Sequence, residues 1–296
     1  MILEFWQGGG DPLRGLAVVV RALALIAALA AAGAALFLVF ASERLTREEA
    51  RSARGWLSLF AVLALLCLAL LWPFRAAELS GIRDGMVRWA LYPEIARSDF
   101  GDATFLTAAG LVLLLFARVR TAWGAGLATA GAMLVSLGLT MGGHAVGHAR
   151  RQELVALGTL HVFAAAFWFG SLPPLRAVAL RRDPASAAED ILAWSRQAMV
   201  FAVLALATGA VMALMLAGPP TALVRGGYGL ATVAKTAFVV AMGLGALACR
   251  FRHARLMERG DVLAGDAFRR SCTRQFLFGL VVLYLTAELA SADLAR

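Results

Sequence analysis

Residues Leu16–Ala41 read LAVVVRALALIAALAAAGAALFLVFA. An apolar run of this length, at about 1.5 Å of rise per residue, crosses the roughly 30 Å of hydrocarbon in a bilayer. The small residues around Ala28–Ala32 look like a signal-peptide cleavage site, yet the run continues unbroken to Phe40, longer than a typical cleaved segment. It is therefore expected to be a retained transmembrane span.

Outward from this block the same pattern recurs. Further apolar stretches cover Trp56–Pro73, Ala103–Ala117, Ala122–His148, Leu154–Leu175, Met199–Ala217, Tyr228–Ala248 and Phe276–Ser291. The third is short and extends naturally toward Phe100 or Arg118. The blocks run to roughly 16–25 residues, as membrane helices do, and no connection between them exceeds about 30. Composition agrees: the chain is 61% hydrophobic and 16% charged, with mean hydropathy +0.76, against roughly 25% charged residues in a soluble domain. The predicted fold is an all-α polytopic transmembrane bundle of about eight spans, one membrane domain divided into residues 1–140 and 141–296.

The net charge of +9 does not point to nucleic acid, because the arginines flank spans and so set topology. The connections after the odd-numbered spans carry about 17 arginines and those after the even-numbered spans about 7. The positive-inside rule then predicts a multi-pass protein of a bacterial-type inner membrane with both termini on the periplasmic side. The three cysteines, Cys67, Cys249 and Cys272, have neither disulfide nor CxxC spacing and read as packing residues.

An internal repeat is also expected. Ser98–Gly101 opens the third span as Gly226–Gly229 opens the seventh, and Trp56 and Trp194 open the second and sixth. The motif Phe60–Leu65 recurs as Phe201–Leu206. Four spans per half would make this a parallel repeat, with both halves entering the membrane in the same direction.

Ionisable groups inside a bilayer are costly and so mark function by default. Three of the four histidines, His144, His148 and His161, surround the turn between spans four and five. Met141, His144 and His148 are spaced i, i+3, i+7, one face of a continuous helix. With the turn centred near Gln152, His144 and His161 would lie at equal depth, roughly 12–13 Å below it. Gly138, Gly142, Gly143 and Gly147 would allow close helix approach and leave room for an ion. Imidazole with a thioether suits copper; two facing imidazoles would equally suit haem b; and hydrogen bonding at a wet helix end needs neither. Spacing alone leaves all three open. Trp168 would wall such a site or pack in the core. Met212 and Met215 would pass Cu(I) along a path or pack. Lys235 would snorkel to the interface, pair with an acid or repel cations, and Glu288 would partner Lys235 or a metal, or be solvated. No nucleophile elbow, phosphate loop or HExxH motif is present, so an enzyme is not expected.

Gly143-His144-Ala145, followed by Leu160-His161 and Trp168-Phe169-Gly170-Ser171-Leu172, resembles the signature of the copper resistance protein D (CopD) family. Trp194-Ser195-Arg196 leading to Thr208-Gly209, Tyr228-Gly229 with Lys235, and Phe268-Arg269-Arg270-Ser271 resemble later motifs of that family, in the same order. The chain departs from them at Ser171, where a second glycine is usual, at Pro173-Pro174, and at Gln275, where an acid is common. The resemblance implies an eight-span inner-membrane protein for copper transport and homeostasis or resistance, often beside a periplasmic copper-binding partner, with His144 and His161 as metal ligands; on the helix face read above, His148 and Met141 would be their helpers.

Overall fold

The computed structural model describes residues 12–117, 121–142, 150–217 and 226–292. Among them are eight helices long and apolar enough to cross a membrane: α1 (Pro12–Ala41), α2 (Arg47–Ser80), α3 (Asp99–Phe116), α4 (Ala122–Met141), α5 (Arg151–Val178), α6 (Pro184–Ala217), α7 (Gly226–Ala248) and α8 (Val262–Ala292). The expected all-helical bundle is present, with ends that often fall outside the apolar blocks.

Polar caps explain most of those shifts. Thr46 accepts from the Glu49 amide at 3.2 Å while Glu49 accepts from the Thr46 amide at 2.9 Å. This reciprocal box starts α2 nine residues before Trp56. Asp183 accepts from the amides of Ala185 and Ser186 and starts α6 at Pro184, while Asp261 does the same for α8. Prolines stop neither α2 at Pro73 nor α5 at Pro173-Pro174; both helices run on, to Ser80 and Val178. A membrane helix tolerates the lost backbone bond where neighbouring groups re-satisfy the freed carbonyls. Helix α4 is described as far as Met141 with Gly142 after it, and the expected extension to His148 lies outside the described residues.

Two helices form the centre. In its most apolar stretch α1 is 72% buried and α5 61%, against 11% for α6 and α7. Helix α1 packs on α2, α4, α5 and α8, and α5 packs on α6, α8, α1 and α4, while α3 pairs with α4 and α7 with α8. The two central helices touch backbone to backbone. A Cβ built on Gly33 would lie 1.9 Å from the Ala166 oxygen, and one on Gly170 would lie 2.7 Å from Gly33 Cα. Aromatic stacking then clamps α5 on both flanks. Phe167 stacks on Phe201 of α6 at 4.2 Å and on Trp194 at 5.8 Å, and Phe169 stacks on Phe276 of α8 at 4.8 Å.

At one membrane face an ion network joins the two halves. Arg181, just after α5, binds Glu49 through two hydrogen bonds of 2.7 and 2.8 Å and also pairs with Asp190. It donates to the Arg44 carbonyl at 3.0 Å, and Arg44 in turn reaches Asp190 at 3.2 Å. Its hydrogen bonds to the Glu49 carboxylate hold the Arg181 guanidinium above its already high ordinary range.

Candidate metal-handling site

His161 lies ten residues into α5, on the side that meets α6. Its Nδ1 is 2.8 Å from the Ala205 carbonyl oxygen and 3.4 Å from Thr208 Oγ1. A carbonyl only accepts, so Nδ1 carries the proton and donates. In the neutral ring the lone pair then sits on Nε2. Backbone anchoring of one ring nitrogen is the usual way a metal-binding histidine is oriented.

The ring needs a glycine opposite it. A Cβ on Gly209 would lie 2.9 Å from His161 Cε1 and 3.2 Å from Nδ1, closer than side chains approach. Thr208-Gly209 thus has a physical role: the threonine adds a hydroxyl and the glycine makes room for the imidazole. Gly209→Ala is expected to swing the ring off the Ala205 carbonyl. In histidine-labelled protein this would appear as loss of the hydrogen-bonded Nδ1–H resonance, and an unchanged resonance would refute the packing argument.

One turn nearer the start of α5 is Gly158, where a Cβ would lie 2.5 Å from Thr140 Cγ2 and 3.4 Å from Met212 Cε. The end of α4, the first half of α5 and the end of α6 therefore converge here. Met212 is one turn along α6 from Gly209, and Met141 adjoins Thr140. Lys235, on α7, is half-buried, and its positive charge acts on the His161 ring. Sequence reasoning gave no role to Gly158 or Thr140, because their meeting depends on three helices crossing and leaves no local spacing signal.

The other candidates lie apart from this cluster or outside the described residues. His144 and His148 are outside them, and with them the expected equal-depth pairing of His144 with His161. Gly143 and Gly147 also lie outside. Gly138 is not spare room for an ion: a Cβ there would lie 2.3 Å from Thr107 Oγ1, so it packs α4 on α3. Trp168 is buried in the core, and Met215 is half-buried near the end of α6. No ion pair joins Lys235 to Glu288 among the described residues. One Glu288 carboxylate oxygen is buried without a hydrogen-bond partner there. No group of three or more His, Cys, Asp or Glu side chains suited to a metal occurs among the described residues.

Two family matches decide the identity. Residues 12–150 match the family described as Copper resistance protein D-like, N-terminal domain, and residues 188–289 match Copper resistance protein D. The chain belongs to the copper resistance protein D family. It is a multi-pass membrane protein of that copper-handling family, whose members are generally transporters rather than enzymes. Both halves match, although the motifs that resemble the family all lie in the second. His161 and Trp168 fall in the stretch between the two matched regions. Neither the curated proteins nor the solved structures contain a match to the chain.

Proposed function

We propose that the protein is a copper permease of the inner membrane that takes up the ion at its periplasmic end through His161. The observation that carries this reading is the Nδ1–H hydrogen bond to the Ala205 carbonyl, which leaves Nε2 free to bind a metal. The family supplies copper as the cargo. The arginine bias supports a periplasmic position for the α4–α5 turn and both termini. Met212 and Met141 are thioethers within about a turn of the His161 layer, and soft sulfur favours Cu(I); His144 and His148 would complete the set from the α4–α5 connection. The positive charge of Lys235 nearby keeps binding weak enough for release, as transport requires. A periplasmic copper-binding protein would deliver the ion.

The packing of α1–α4 recurs in α5–α8, since α1 with α2 corresponds to α5 with α6, and α3 with α4 to α7 with α8. This supports two parallel halves with α1 and α5 at their junction, and a transport path along that junction.

The test is metal content, absorption spectrum and copper accumulation measured on one preparation. Wild-type protein is expected to bind copper and show no Soret band. His161→Ala should weaken binding by about 10–100-fold, the scale for losing an ordered metal ligand or its support, and copper accumulation should fall with it. A Soret band lost in His161→Ala would replace this reading with a haem protein. Unchanged binding and accumulation in that variant would end the His161 assignment.

A further inference from the structure

The apolar run Leu16–Ala41 contains one charged residue, Arg21, which lies nine residues into α1 and is half-buried. An ionisable group inside a span is costly and marks function by default, and the copper reading does not use this one. Arg21 lines a cavity of about 730 Å³ between the start of α1 and the end of α2. Arg14, seven residues earlier, lies on the same face of α1, about 10 Å nearer the helix start, and lines the cavity too. Arg75 of α2 and Arg83, just beyond it, complete the basic lining. Gly81, at a φ of 68°, ends α2, and the short helix Arg83–Val87 packs back on it.

Four guanidiniums thus share the cavity with one carboxylate among the described lining residues, Glu78. Arg75 pairs with Glu78 at 2.9 Å, so that carboxylate is already engaged and the net charge of the described lining is positive. Arg14 and Arg83 are exposed while Arg21 and Arg75 are half-buried, so positive charge runs from the rim of the cavity to its floor. Phe74, Leu79 and Ile82 give it an apolar wall, and Leu79 and Ile82 keep 52% and 47% of their exposure. Topology does not account for these arginines. The arginine bias assigns the start of α1 to the periplasmic side, where basic residues are sparse.

We propose that the cavity between α1 and α2 binds the phosphate headgroup of an anionic phospholipid, whose acyl chains leave past Leu79 and Ile82. The planar fork of a guanidinium matches phosphate oxygens with paired hydrogen bonds. A free phosphate ion offers the same oxygens, but it would fill only a small part of the space and has no use for the apolar wall. A lipid uses both. Its headgroup neutralises the arginines, its chains cover exposed apolar side chains, and the whole molecule braces the start of α1 against the end of α2. The site stands whether or not His161 binds copper.

The experiment titrates the purified full chain in detergent with phosphatidylglycerol, phosphatidylcholine or inorganic phosphate and counts bound molecules by native mass spectrometry. Wild-type protein is expected to retain one phosphatidylglycerol in preference to phosphatidylcholine. Arg14→Gln, Arg83→Gln and Arg21→Gln should each weaken that binding about fivefold, the scale for one basic residue at an anionic lipid, while Arg255→Gln, outside the cavity, leaves it unchanged. Equal phosphatidylglycerol affinity in wild type and the three cavity variants overturns the proposal, as does equal retention of the two lipids. Displacement of phosphatidylglycerol by inorganic phosphate at equal concentration would assign the cavity to a soluble phosphate and overturn the lipid as its occupant. If Arg21→Gln does not fold, the exposed Arg14→Gln and Arg83→Gln decide.

Discussion

Gly33→Val is expected to destabilise the protein by about 3 kcal/mol, the upper end of the usual cost of overpacking, and to lower the yield of monodisperse protein. A Cβ at this position would stand 1.9 Å from the Ala166 oxygen and 2.7 Å from Gly170 Cα. Neither obstacle is a flexible side chain, so only separation of α1 from α5 relieves the clash. Separation loses the dispersion contacts and weak Cα–H hydrogen bonds that close approach gives, and these drive helix association where lipid already solvates apolar surface. Gly170→Val should behave alike, since its Cβ would meet the Ala30 oxygen at 2.7 Å. Gly126→Ala and Gly243→Ala are the controls, because a Cβ there meets nothing within 4 Å. Both should be neutral or stabilising by about 0.5–1 kcal/mol, the ordinary helix preference for alanine over glycine. Thermal unfolding in detergent reads all four. Equal midpoints for Gly33→Val and Gly243→Ala would show that the two central helices do not touch.

Arg181→Met is the second large effect, expected at about 3 kcal/mol because it strands carboxylates that are mostly hidden from water. The side chains of Arg181, Glu49 and Asp190 retain 14%, 9% and 18% of their exposure. Arg181→Lys keeps the charge but not the planar fork that grips both Glu49 oxygens, so it should recover only part of the loss. Removing Glu49 and Asp190 as well, with Arg181→Met/Glu49→Gln/Asp190→Asn, should recover most of it. Arg255→Ala breaks the exposed pair with Glu258 and should move stability by less than about 1 kcal/mol. An Arg181→Met midpoint equal to that of Arg255→Ala would mean that the network contributes nothing.

The eight spans were legible because water and lipid sort side chains by polarity, and that signal sits in each residue. Their ends were less so. Arg47–Arg54 and Asp183–Arg196 read as charged loops, yet Thr46 and Asp183 cap helices there, and the Thr46–Glu49 capping spacing is visible in the sequence. Pro73 and Pro173-Pro174 are residues that end helices in water, yet α2 and α5 continue through them. The site was half legible. A histidine in a span is conspicuous, so His161 stood out, and its family motif placed it. Its partners did not, because Ala205 offers a backbone oxygen that no residue code records.

The burial of α1 bears on how the protein is made. This segment leaves the ribosome before the other helices, yet two of the helices that cover it come much later, α5 only in the second half of the chain and α8 last of the eight. For most of synthesis its alanine-rich flank and the bare backbone at Gly33 must rest against lipid or the insertion machinery. Release of a nascent chain before α5 emerges would leave that flank exposed, so quality control has a defined feature to recognise in unfinished copies.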